Sequence, residues 1–133
     1  MRLAANCLGG ERRLTELELD WLDGYENSKP VRIGNAAHKQ LQLDIFGEVL
    51  DAMHVARKNG LKADENAWRL EQNLLQYLEK IWRDPDEGIW EVRGPRRHFV
   101  HSKVMAWVAA DRAVKAVERY GLKGDLPRWQ KLR

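Results

Sequence analysis

The chain has 133 residues, 44% of them hydrophobic and 32% charged, which is the size and make-up of one folded domain and excludes a disordered polypeptide. Its net charge of +3 comes from acids and bases that alternate along the chain, so no nucleic acid partner is expected. No apolar run approaches the roughly 20 residues that cross a bilayer, so no membrane partner is expected either.

The first residues, MRLAANCLGG, are too short and too weakly apolar for a signal peptide. Cys7 is the single cysteine, which rules out an internal disulfide and reads as a free thiol in a reducing cytoplasm. From 14 to 22, LTELELDWL alternates: Leu17, Leu19 and Trp21 fall on one side and Glu16, Glu18 and Asp20 on the other. Period two predicts a half-buried strand or extended arm. DGYENSKP then supplies turn residues.

From Asn35 to Asn59 the period becomes helical, with Phe46, Val49, Leu50 and Met53 as an apolar stripe and Asn59-Gly60 as its stop. A second helix is predicted over 64–82. Asp64 caps it, and Leu74, Leu75, Leu78, Ile81 and Trp82 form its buried face. A third spans 102–120 with a stripe of small residues, Ala106, Ala109, Ala113 and Ala116. A fourth opens at GDLPRW, with Asp125 as cap and Pro127 in the first turn. It has about two turns before Arg133, too few for stability alone, which suggests a piece of a larger helical array.

On the first helix, Gln40, Asp44, Glu48 and Asp51 share a face expected to be wet. Asn35, His38 and Gln42 instead continue the line of the apolar stripe toward the N-terminus. A buried stripe that turns polar only at one end suggests a core opening into a polar pocket, though hydrogen bonds at a core edge give the same pattern. The loop 84–101 lies at that end if the first and third helices are parallel. It carries DPDEGIWEVRGPRRHF, in which Glu91 follows Ile89 and Trp90 and precedes Arg93, Arg96, Arg97 and His98. A carboxylic acid that donates a proton near neutral pH needs apolar burial, which Ile89 and Trp90 are placed to supply, while nearby arginines oppose it. A surface ion pair has the same composition. The histidines lack metal-ligand spacing, and Asp84, Asp86 and Glu87 lack a calcium-loop pattern. No phosphate-binding glycine loop and no nucleophile elbow occurs.

At these residues the chain resembles the bacterial glucoamylase/trehalase-type glycosidases, glycoside hydrolase family 15. The likeness is carried by GERRLTELELDWLDGYENSKPVRIGNAAHKQLQLDIFGEVLDA, by PDEGIWEVRGPRRHFVHSKVMAWVAADRAVK and by the start of the last helix, over about residues 10 to 133. It implies an all-α fold, part of an (α/α)6 toroid whose active site lies at the N-terminal ends of the inner helices. Residues 35–59 and 102–120 would be inner helices and 64–82 an outer one, the whole chain forming one partial catalytic domain. It also implies inversion at the anomeric carbon: one carboxylic acid protonates the leaving oxygen and a second carboxylate activates water from the opposite face. The acid falls on Glu91. Trp90 and Arg93 would line the first sugar subsite, helped by Arg32 and the polar end of the first helix (Asn35, His38, Gln42), with His98 and Lys103 added to the substrate-facing set.

The substrate class so implied is an α-glucoside or oligosaccharide, with no cofactor and no metal. The family's general base lies far downstream of the acid, so the chain is expected to be inactive alone. The other functional class is a non-catalytic helical module that self-associates or binds carbohydrate weakly. A homodimer or higher oligomer is expected, with the alanine stripe and Phe46, Val49 and Met53 at the interface.

Overall fold

The structure is a computed structural model that describes residues 15–34, 36–91 and 94–133, and only the backbone at 38 and 39. Two compact units are present, one ending at Leu41 and one running from Gln42 to Arg133.

In the first unit, β1 (Leu17–Glu18) pairs antiparallel with β2 (Arg32–Ile33), Leu17 opposite Ile33 and Glu18 opposite Arg32. The alternation over 14–22 predicts a half-buried strand or an extended arm, and only the strand alternative fails. Only two residues are strand, because the chain turns at once, the Leu22 N–H returning to the Leu19 carbonyl at 3.1 Å. Leu17 is 53% and Trp21 75% exposed, with Leu19 between them half-buried. A 3-10 turn at Ala36–Lys39 ends with the Gln40 N–H on the Ala37 carbonyl at 2.9 Å.

The second unit holds α1 (Asp44–Lys58), α2 (Glu65–Ile81), α3 (Val100–Tyr120) and α4 (Leu126–Leu132). The helix predicted from Asn35 therefore starts nine residues later. In a continuous helix the Leu43 N–H would reach back to the carbonyl of residue 39. Here it donates to the Asp86 carboxylate at 3.0 Å, and α1 begins at that point. The other boundaries follow their capping residues: Asp64 accepts from the Asn66 N–H at 2.9 Å and Asp125 from the Arg128 N–H at 3.2 Å, and α3 stops at Gly121.

Pairings along α1 and α3 rise together. Gly47 lies against Met105, Asp51 pairs with Arg112, and His54 stacks edge-on to Tyr120 with centroids 5.9 Å apart. The two helices are thus parallel. Pairings between α1 and α2 run oppositely, Phe46 against Tyr77 and Arg57 against Glu71, so those helices are antiparallel. The core is Leu43, Phe46 and Leu50 from the start of α1, Leu74, Leu75 and Leu78 from α2, and Ala106, Ala109, Ala110, Ala113, Val114 and Ala116 from α3, each 7% exposed or less. Trp68 of α2 and Trp129 of α4 close the far end edge to face at 5.8 Å.

The small stripe on α3 therefore packs within the chain, against α1, which corrects the expectation that it forms an intermolecular interface with Phe46. Small side chains let the two backbones approach closely, and the stripe is consumed in doing so. The apolar residues that α3 does expose are Val100, Val104 and Trp107, one helical face further round. The described residues are all-α apart from the two-residue strands, as a part of an α/α toroid would be. Among them no helix is long and apolar enough to cross a membrane.

Candidate active site at the N-terminal end of α1

The loop between α2 and α3 is closed by its own backbone. Asp86 and Arg97 exchange N–H···O bonds in both directions, each 3.0 Å, so the segment between them is a loop with a fixed base. Inside it Gly88 takes φ 68°, and a Cβ there would stand 2.8 Å from the Phe99 ring. Only glycine fits that contact in that conformation. The chain then folds back so that the Glu91 N–H reaches the Gly88 carbonyl at 3.2 Å. Glu91 itself has φ 50°. A non-glycine residue in the left-handed region carries strain of about 1 kcal/mol or more, a cost that tends to persist where the residue is used.

This geometry brings Glu91 to α1. The Gln42 amide nitrogen lies 3.5 Å from a Glu91 carboxylate oxygen, at the long limit of a hydrogen bond. Next in sequence, Leu43 is bound to Asp86. Gln42, just ahead of α1, and the GIWE loop thus meet in the second unit, at the end where the parallel α1 and α3 both begin. Ile89 and Trp90, expected to be buried around the carboxyl, are themselves 45% and 86% exposed, while Glu91 is half-buried. Trp90 instead presents an open indole face beside Glu91 in the chain. The arginines are partly committed elsewhere, Arg96 pairing with Glu87 at 3.0 Å.

Of the other predicted site residues, Asn35 and Arg93 lie outside the described residues, as does the side chain of His38. Arg32 belongs to the first unit, where its guanidinium bonds Glu18 at 2.7 Å and lies 3.3 Å from Glu16. Lys103 directs its ammonium to the carbonyls of Trp82 and Asp84, both at 2.6 Å, so it closes the C-terminal end of α2. Burial there lowers its pKa, while Asp86 and Asp84 act in the opposite sense. His98 stands in the wall of a shallow apolar groove of about 410 Å³ with Phe99, Val100, Val104 and Trp107.

Two carboxylates escaped the sequence reading. Asp44, assigned by periodicity to the wet face, is only 3% exposed, and Asp86 is fully buried. Burial raises the Asp44 pKa above the ordinary carboxylate value, and the Asp86 charge adds to the rise, while backbone N–H groups and His101 oppose it. One carboxylate oxygen of each, and the Ser102 hydroxyl, are buried with no hydrogen-bond partner among the described residues. Buried polar atoms normally find partners, so the N-terminal ends of α1 and α3 hold polar capacity beyond what packing uses. The signal available in the sequence was the position of Asp44 at the first turn of a helix and of Asp86 just ahead of GIWE. Neither position shows in a periodicity.

A family profile, Glycosyl hydrolases family 15, matches residues 2–133. Curated relatives include a trehalase of Mycobacterium tuberculosis (strain ATCC 25618 / H37Rv), 47% identical over 92% of this chain and 18% of its own length. A trehalase of Mycolicibacterium smegmatis (strain ATCC 700084 / mc(2)155) is 46% identical over the same shares. Trehalase 2 of Sulfolobus acidocaldarius (strain ATCC 33909 / DSM 639 / JCM 8929 / NBRC 15157 / NCIMB 11770) is 42% identical over 86% of this chain and 20% of its own length. The chain thus spans about a fifth of the length of the curated relatives it matches. No solved structure matches it.

Proposed function

Because the chain belongs to glycosyl hydrolases family 15, we infer that it carries the general-acid part of an inverting α-glucoside hydrolase. Trehalose is the first candidate substrate, since the relatives are trehalases. Glu91 is the acid. The observation that supports this most directly is its placement: a carboxyl held in a strained left-handed turn, within 3.5 Å of Gln42 and next to an exposed tryptophan. In the reaction Glu91 gives its proton to the leaving glycosidic oxygen as the bond to the anomeric carbon breaks. A second carboxylate, on the opposite face of the sugar, takes a proton from the attacking water. The Gln42 amide nitrogen faces the Glu91 carboxyl from 3.5 Å. Trp90 offers a flat apolar face to a glucose ring. Asn35, His38, Arg93 and Arg32 are assigned to the sugar subsite by the family resemblance, as are His98 and Lys103. For Lys103 the bonds to two carbonyls make the contribution one of holding the loop.

The second carboxylate lies in a further part of the domain in this reading, so the isolated chain turns over no substrate. A chimaera tests the assignment. The segment replaces its counterpart in the M. tuberculosis trehalase, and trehalose hydrolysis is measured with and without Glu91→Gln. The parent chimaera is expected to be active and the variant to lose about 10²–10⁴ in rate with sugar binding largely kept. Near-normal turnover by the variant would remove Glu91 from the role.

A second reading, self-association without catalysis, is favoured by one observation. Val100, Val104 and Trp107 are 81%, 49% and 48% exposed along one face of α3. Light scattering at micromolar concentration separates the two: an oligomer that dissociates on Trp107→Lys supports association through that face, and a compact monomer opposes it.

A further inference from the structure

Gln42 and Glu91 belong to different segments, and the 3.5 Å contact between them is too long to hold either in place. The two segments are also tied together away from this contact. Asp86 is the group that touches both supports. It is fully buried, it lies in the loop stem five positions before Glu91, and its carboxylate accepts from the N–H of Leu43, the residue next to Gln42. Its backbone meanwhile forms one side of the two-way bridge to Arg97 that closes the loop. Leu43 stands at the N-cap position of α1 in a helical conformation, with a side chain that cannot cap. The Leu43 N–H therefore takes its acceptor from elsewhere, and the carboxylate of the acid loop supplies it. Lys103 holds the same stem from the other side through the Trp82 and Asp84 carbonyls.

We propose that Asp86 is the positioning residue of this site, a buried carboxylate that clamps the N-terminus of α1 to the Glu91 loop and so sets the Gln42–Glu91 distance. This goes beyond the functional reading above and uses it only in naming Glu91 as the acid. Asp86 needs no contact with substrate, and it transfers no proton in this role. A hydrogen bond from a backbone N–H to a buried carboxylate is among the stronger kinds, and its loss unpairs a buried donor as well.

The test is made on the chain in solution by NMR. In the wild type the Leu43 amide is expected to show a scalar coupling to the Asp86 carboxyl carbon across the hydrogen bond. The Gln42 side-chain amide is expected to shift as Glu91 is titrated. Asp86→Leu keeps approximate volume and removes the acceptor. It is expected to speed Leu43 amide exchange by about tenfold or more and to abolish the response of Gln42 to Glu91, while α3 resonances stay in place. Asp86→Asn retains an acceptor oxygen and is expected to restore the Gln42 response. A response that persists in folded Asp86→Leu would overturn the proposal. If that variant does not fold, the wild type decides, since absence of the Leu43–Asp86 coupling overturns it equally. Trehalose titration of the same samples is scored separately. Absence of sugar binding by the wild type, with its Gln42 response present and that of Asp86→Leu lost, would count against the hydrolase reading and leave the clamp standing.

Discussion

Gly47 of α1 lies directly against the carbonyl of Met105 in α3: a Cβ at position 47 would stand 2.2 Å from that oxygen. The atom in the way is backbone, so it cannot swing aside. The parallel packing that puts the N-terminal ends of α1 and α3 together depends on this approach.

Gly47→Ala should therefore be expensive, although alanine is the better helix former by up to about 1 kcal/mol. The clash requires the helices to separate, which also loosens Ala106 and Ala109 beneath. A net loss of about 3 kcal/mol is expected, read as a lower urea midpoint with little change in slope. A variant at least as stable as wild type would show that the helices separate freely and that the close approach does not hold the site.

The ion pair between Arg57 and Glu71 should behave differently from a surface pair. Both side chains are buried, the two Nη–Oε bonds measure 2.6 and 2.8 Å, and the guanidinium lies about 6 Å from the ring centres of Trp68 and Tyr120. Its Nε has no hydrogen-bond partner among the described residues, so the burial is incompletely compensated. Glu71→Leu alone should cost about 3–5 kcal/mol by stranding the cation, whereas Arg57→Leu together with Glu71→Leu should recover most of that loss. A double-mutant cycle measured by denaturant titration gives the answer. Additive losses would mean the pair is not coupled.

His54 gives the fold a pH dependence of definite sign. Burial lowers its pKa below 6.5, and the cations Arg112, Lys115 and Arg57 lower it further, against a smaller opposite effect of Asp51. With the folded value depressed, the unfolded chain binds the proton more readily. Stability is then full above pH 6.5 and falls as pH drops from 6.5 toward the folded pKa. Urea midpoints at about pH 7 and about pH 5 should differ more in wild type than in His54→Phe, which keeps an aromatic ring beside Tyr120. Equal pH dependence in the two would assign the effect to other groups.

The parts of this arrangement that were legible in the sequence are those set by local rules. Asp64 and Asp125 cap helices where their spacing places them, and Leu74, Leu75 and Leu78 are buried as their period requires. Over 36–43 tolerable helix propensity extends the period of α1 ahead of its observed start. What ends the helix is a carboxylate 43 positions away, and no local pattern encodes that. The same long-range contact explains why Asp44 and Asp86 were passed over. Trp90 was expected to bury Glu91 because tryptophan usually packs. It is instead 86% exposed in the tight turn between Gly88 and Glu91.

That turn carries the last prediction. Glu91 at φ 50° occupies a region that long side chains enter only at a cost. Asparagine tolerates the left-handed region better than longer side chains do. Glu91→Asn should therefore leave the stability of the chain unchanged or raise it by up to about 1 kcal/mol, even though the contact with Gln42 is lost. In the trehalase chimaera the same change should abolish hydrolysis, since the shorter amide neither reaches the glycosidic oxygen nor gives it a proton. Residues kept for function at the expense of stability show this pairing of effects. Thermal unfolding of the chain and trehalose turnover by the chimaera are the two measurements. A loss of more than about 2 kcal/mol in the chain would identify Glu91 as a structural residue of the loop, and the ion-pair reading of GIWEVRG would then be the better one.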